Sequence, residues 1–159
     1  MFELPPVDLV ELEPNPIVIE SCLSKSAKKH QVPEVMLRAI MDVEAGKVGT
    51  VKANRNGSAD LGVMQINTIN LNEIKTNFPD VGWYELATRP CTNIDVAAWF
   101  LKKKIDNRDG HVIEGVGDYH SKTPEVRIKY MFRIFEKLNS ETYQSLNVNW
   151  SEILGPAGK

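Results

Sequence analysis

The sequence predicts a mainly α domain with one small β-hairpin, and three observations lead there. Apolar residues recur at helical spacing in three separate runs, residues 33–46, 92–107 and 123–138. One stretch, residues 50–63, changes to short extended pieces around Asn56-Gly57, the dipeptide of a tight hairpin. With 159 residues the chain is long enough for one well-buried core and too short for two ordinary domains.

The N-terminal segment, Met1 to Pro16, holds four of the nine prolines among acidic and aliphatic residues and reads as an extended arm. It has neither a positively charged start nor a continuous apolar segment, so it is not a secretory signal; either export is not used or a signal is removed ahead of Met1. Residues 17–140 form the domain. A first helix covers Ser21 to Gln31 and ends at the turn before Pro33.

The second helix starts near Pro33, which suits the first helical position, and stops at Gly46, expected to be the left-handed closing residue. Leu37, Ile40, Met41 and Glu44 occupy positions i, i+3, i+4 and i+7 of one face. Glu44 therefore puts a carboxylate where the core should be. In the last turn, the negative end of the helix dipole and partial burial both oppose its ionisation, which suits a general acid.

After the hairpin, Asn67 or Thr68 is expected to cap a helix running to about Phe78, which Pro79 to Gly82 break. Trp83 to Thr88 add one more turn. Thr92 or Asn93 then caps a strong helix with Ile94, Ala97, Ala98, Leu101 and Ile105 on one stripe, ended by Asn107 to Gly110. His111 to Tyr119 is only weakly helical, because it contains Gly115 and Gly117. Thr123-Pro124 opens the last helix, where Val126, Tyr130, Ile134 and Leu138 recur at helical spacing. Residues 141–159 are expected to form a polar tail.

Composition excludes several classes. A net charge of −2 and a pI near 5.9 argue against a nucleic-acid partner, and the one dense basic run, Lys102-Lys103-Lys104, reads as a solvated helix end. No apolar run approaches the roughly 20 residues of a membrane span. His30, His111 and His120 have no metal-ligand spacing, there is no glycine-rich phosphate loop, and no cofactor is implied. Cys22 and Cys91, 69 positions apart, suit neither a redox pair nor a metal array; they are a disulfide or two buried thiols.

Gly62-Val63-Met64-Gln65-Ile66-Asn67 follows the hairpin directly. Its glycine permits close backbone approach, and Gln65 and Asn67 set two amides among apolar neighbours, a donor and acceptor pairing that suits amino sugars. Together with Glu44 and with Gly117-Asp118-Tyr119-His120-Ser121, this order resembles the lysozyme-like lytic transglycosylases over roughly Ser21 to Leu138. It is most similar to the small members that accompany type III and type IV secretion, conjugation and pilus systems, through Asn56-Gly57-Ser58, Met64-Gln65-Ile66-Asn67, Pro90-Cys91-Thr92-Asn93-Ile94 and Tyr119-His120-Ser121.

The resemblance implies an α+β lysozyme-like fold and cleavage of the β-1,4 bond between N-acetylmuramic acid and N-acetylglucosamine of peptidoglycan glycan strands, leaving a 1,6-anhydromuramoyl product. Glu44 matches the single acid of the family, and Tyr119 the tyrosine that bonds the catalytic carboxylate. Gln65 and Met64 match a subsite contact and a cleft wall. Ser58, Asn67, His120 and Ser121 are further substrate contacts by the same matching, although Ser121 and Thr123 equally suit caps of the last helix. The matched cysteines imply a Cys22–Cys91 disulfide and a periplasmic location. One departure is Ala45, where the family usually has serine.

Two alternatives differ in kind. A hydrolytic lysozyme needs a second carboxylate or a held water, with Asp60 and then Asp118 as candidates, each also readable as a turn or helix-end residue. A peptidoglycan-binding assembly module would keep the fold with little activity.

Overall fold

A computed structural model describes residues 15–154. The arm expected over residues 1–16 lies outside them, apart from its last two positions, and those begin the first helix. Asn15 Oδ1 accepts from the Ile17 N–H at 3.0 Å and Pro16 takes the first helical position, so α1 runs Pro16–His30 rather than from Ser21. Helix α2 covers Glu34–Glu44, with the Pro33 carbonyl accepting from the Met36 and Leu37 amides, both at 3.1 Å.

The end of α2 differs from expectation in one respect. The left-handed closing residue is Ala45 (φ 52°), not Gly46. A side chain costs about 1 kcal/mol in that conformation, and Gly46 is held back for a close contact described below.

Three strands follow: β1 Val51–Ala53, β2 Ala59–Leu61 and β3 Ile66–Asn67, antiparallel in the order β1-β2-β3. The register sets Lys52 opposite Asp60 and Asp60 opposite Asn67. The Gly62–Gln65 motif is thus the turn between β2 and β3. Asn67 caps a single 3-10 turn, Thr68–Asn70, through Oδ1 on the Ile69 N–H at 2.9 Å. Helices α3 (Leu71–Asn77), α4 (Trp83–Thr88) and α5 (Pro90–Asp106) complete this part of the chain. Helix α5 starts at Pro90, ahead of the expected Thr92 or Asn93 cap, because proline suits its first turn and the Asn93 amide is used elsewhere.

Helices α6 (Val112–His120) and α7 (Pro124–Leu138) follow. The glycines of α6 do not loosen it. A Cβ on Gly115 would stand 2.6 Å from Ile105 Cα, so glycine is what lets α6 approach the end of α5. In α7, Tyr130, Ile134 and Leu138 are buried as expected, whereas Val126 is exposed. Residues 141–154, read from sequence as part of a polar tail, carry α8 (Glu141–Gln144) and α9 (Trp150–Leu154), with Tyr143 and Ile153 fully buried. Two buried apolar side chains are too few for the sequence pattern to reveal.

The described residues divide into two units, residues 15–26 with 44–97, and residues 27–43 with 98–154. In the first, Leu23, Leu61, Ile74, Leu86 and Ile94 are buried, and Cys22 and Cys91 are joined in a disulfide, Cα to Cα 5.3 Å. In the second, Met36, Leu37 and Ile40 of α2 are buried, as are Leu101, Tyr130 and Ile134, and α6 packs on α7 and α9. The end of α2 is tied within this unit: Arg133 donates to the Val43 carbonyl at 2.7 Å, and the Tyr143 hydroxyl donates to the Asp42 carboxylate. A cation on a terminal carbonyl satisfies one of the acceptors a helix end leaves open. Among the described residues no helix is long and apolar enough to cross a membrane.

Candidate active site

Glu44 is the last residue of α2 and is partly buried. The two residues after it bring it to the β2–β3 turn. A Cβ on Gly46 would lie 2.1 Å from the Gly62 carbonyl oxygen and 2.7 Å from Gln65 Nε2. No residue but glycine fits that contact, so the helix end and the motif turn are pressed together within the first unit.

The motif turn is itself tightly specified. Gly62 (φ 65°) and Gln65 (φ 51°) are both left-handed. The Gly62 carbonyl accepts twice from Gln65, from its backbone N–H at 3.1 Å and its side-chain Nε2 at 2.9 Å. Met64, expected to wall a cleft, has no exposed surface; its side chain is core packing. Asn93 reaches the turn from α5. It is fully buried, its Nδ2 donates to the Leu61 and Leu86 carbonyls at 2.9 and 2.8 Å, and its Oδ1 accepts from the Met64 N–H at 3.0 Å. Sequence reasoning treated Asn93 as a helix cap. The signal that could have separated the two roles is Pro90, which already marks the helix start.

On the sheet beside the turn, polar side chains converge on Asp60. Asn54 donates to Oδ2 at 3.2 Å and Asn67 to Oδ1 at 2.8 Å, and the same two amides also donate to Ser58 Oγ, at 3.2 and 3.1 Å. The Ser58 hydroxyl donates to Asn56 Oδ1 at 2.6 Å. Ser58, the expected acetamide contact, is buried, and its hydroxyl is engaged as donor and as acceptor at the centre of the hairpin's hydrogen bonding. Asn67 is likewise occupied as donor and as cap.

The remaining expected residues belong to the second unit. Tyr119, partly buried near the end of α6, meets Phe100 edge to face at 5.6 Å between ring centroids. His120 is exposed and stacks on Tyr130 at 4.4 Å, and Ser121 Oγ accepts from the Thr123 N–H at 3.1 Å; Thr123 is the N-cap residue of α7, which has no side-chain cap hydrogen bond. Asp118 is not a free carboxylate. Arg108 grips both its oxygens, at 2.7 and 3.0 Å, and Arg127 Nε adds 3.0 Å. The Arg108 hydrogen bonds, helped by those of Arg127, hold its carboxyl below the ordinary range despite burial. Arg127 also bonds the Glu114 carbonyl and carboxylate, at 2.9 and 2.6 Å, and lies flat on Gly117, where a Cβ would stand 2.8 Å from its guanidinium carbon. These pairs brace the helix end that carries Tyr119. Among the described residues no group of three or more His, Cys, Asp or Glu could hold a metal ion.

The chain thus ends a helix at Glu44 and brings Gly46, two residues on, against a Gly-Val-Met-Gln turn on a small antiparallel sheet. The model of the transglycosylase SLT domain matches residues 21–131, and the chain belongs to that family, with its lysozyme-like fold. Among individual proteins, it is similar to Protein IpgF of Shigella flexneri, 29% identical over 134 residues that cover 78% of this chain and 85% of that one. It is also similar to Invasion protein IagB of Salmonella typhimurium strain SL1344, 30% identical over 120 residues, 72% of this chain and 73% of the relative.

Proposed function

We propose that this protein is a peptidoglycan lytic transglycosylase of the bacterial periplasm that opens the wall locally for a secretion, conjugation or pilus apparatus. The observation that carries the proposal is the contact of Gly46 with Gly62 and Gln65, which joins the helix end bearing Glu44 to the amide proposed to read the sugar. Similarity to a protein named for invasion, IagB, supports a specialised role over general wall growth.

In this mechanism the Glu44 carboxyl gives its proton to the glycosidic oxygen as the bond to the muramoyl C1 breaks, and the N-acetylglucosamine side leaves as an alcohol. The substrate's own acetamide oxygen shares the positive charge at C1. The Glu44 carboxylate then takes the proton of the muramoyl 6-hydroxyl, and O6 closes on C1 to give the 1,6-anhydro ring, a substrate-assisted departure from the two-carboxylate scheme. Gln65 binds sugar amide or hydroxyl groups, and the family resemblance assigns catalytic and substrate roles also to Tyr119, His120 and Ser121.

A second mechanism is favoured by one observation. Asp60 receives amide hydrogens on both oxygens, from Asn54 and Asn67, and is thereby held in place as the second carboxylate that a hydrolytic scheme needs. That would suit a hydrolytic lysozyme. Product mass on purified peptidoglycan separates the two. Anhydro ends are expected, with release falling at least about 100-fold in Glu44→Gln and only a few-fold in Asp60→Asn. Reducing ends, with Asp60→Asn as damaging as Glu44→Gln, would establish hydrolysis instead.

A further inference from the structure

The Asn93 side chain does more than satisfy α5. Its three hydrogen bonds bracket the β2–β3 turn, on the Leu61 carbonyl before Gly62 and the Met64 N–H after it, with the Leu86 carbonyl of α4 as the third anchor. A Cβ on Gly62 would fall 2.4 Å from both Asn93 Nδ2 and the Leu86 oxygen, so the amide lies directly against that glycine. With Gly62 fixed, its carbonyl has one direction, and that direction is toward Gln65. One of the two Gln65 Nε2 hydrogens is spent on it at 2.9 Å. The oxygen of the Gln65 amide is consequently turned away, and it accepts from no described residue.

Resting on the proposed glycan-binding role of Gln65, we infer that Asn93 is a positioning residue: through Gly62 it fixes which end of the Gln65 amide faces the glycan, namely the acceptor Oε1. The glycan group that meets Gln65 is therefore a hydrogen-bond donor, an N-acetyl N–H or a hydroxyl. A carbonyl-type acceptor is disfavoured there, because the better placed N–H is already used. Asn93 has no surface and never touches substrate. Its effect passes through a backbone carbonyl, and a left-handed Gln65 is what allows the side chain to fold back on that carbonyl.

The test combines a substrate-free signal with a double-mutant cycle. In wild-type protein one Gln65 side-chain amide proton should be shifted and protected from exchange, and Asn93→Ser should abolish that protection while Tyr119 and other signals of the second unit stay in place. With peptidoglycan, Asn93→Ser and Gln65→Ala should each raise KM about tenfold with kcat within about twofold. The double variant should match Gln65→Ala rather than reach about 100-fold, since residues acting as one unit are not additive. Multiplying effects, or a protected Gln65 amide that survives Asn93→Ser, would overturn the inference. If Asn93→Ser does not fold, Gln65→Glu carries the test alone: an oxygen replaces Nε2 against the Gly62 carbonyl, so KM should rise about tenfold at unchanged stability, and an unchanged KM would overturn the assignment. A protected, Asn93-dependent Gln65 amide in a protein that releases no glycan would refute the proposed function and leave the positioning intact.

Discussion

Two helix-borne elements carry the proposed catalytic side chains, and they are secured by opposite chemistries. In the first unit the turn that meets the Glu44 segment is held by neutral amides: Asn93 on Leu61, Met64 and Leu86, and Gln65 on Gly62. In the second, the end of α6 that carries Tyr119 is held by charge, with Asp118 clasped by Arg108 and Arg127. Neutral amides do not titrate and are little affected by salt, whereas an ion-paired carboxylate gives up its contribution when protonated. The motif turn should thus keep its geometry through acid, and the α6 end should not.

The largest effect should come from releasing the clamp behind the amide side. Replacing Cys22 and Cys91 by serine removes a link spanning 69 residues, two positions from Asn93, and should cost about 4 kcal/mol on the chain-entropy account, read by urea denaturation. Gly62→Ala comes next. Its methyl has no room beside Asn93 Nδ2 and Leu86, and its φ of 65° disfavours a side chain, so a loss of about 3 kcal/mol is expected, with Gln65-dependent binding lost as well.

On the charged side, Asp118→Asn leaves Arg108 and Arg127 without their shared carboxylate and should cost about 2–3 kcal/mol at neutral pH. The pH dependence sharpens the contrast. Because the Asp118 carboxyl is depressed from its ordinary 3.8, its stabilisation is full above about that pH and is lost as pH falls through the lower folded-state value. Wild-type stability should decline in that acid window, and Asp118→Asn should flatten the decline; an equal slope in both would place the acid sensitivity elsewhere. The smallest effect is expected at the helix end itself. Ala45→Gly relieves a left-handed alanine at φ 52° and should stabilise by about 0.5 kcal/mol, visible as a small rise in thermal midpoint.

The helical stripes of α2, α5 and α7, the hairpin and the α3–α4 break were legible because periodicity and turn chemistry are local. Less legible were α8 and α9, which depend on only two buried residues, Tyr143 and Ile153. The Glu44 helix end and the Gly62–Gln65 turn were legible as motifs, but the distribution of labour around them was not. Ser58, Asn67 and Met64 look like ligand contacts by sequence, and only the structure adds that Ser58 and Asn67 also carry the hairpin's hydrogen bonds and that Met64 is buried. Asp60 and Asp118 looked alike as candidate second carboxylates, and their partners separate them: amides for one, guanidinium groups for the other.

Sequence by itself therefore determined the helices and hairpin between residues 33 and 138, the family pattern and the order of its motifs, because each of these is written in short-range spacing. Only the tertiary structure decided that Ala45 rather than Gly46 turns the chain, that Gly46 exists to admit the Gly62 carbonyl, and that Asn93 holds the motif turn from 29 residues away. Those facts concern which backbone and side-chain atoms meet across long loops, and a residue's spacing along the chain does not specify its partner in space.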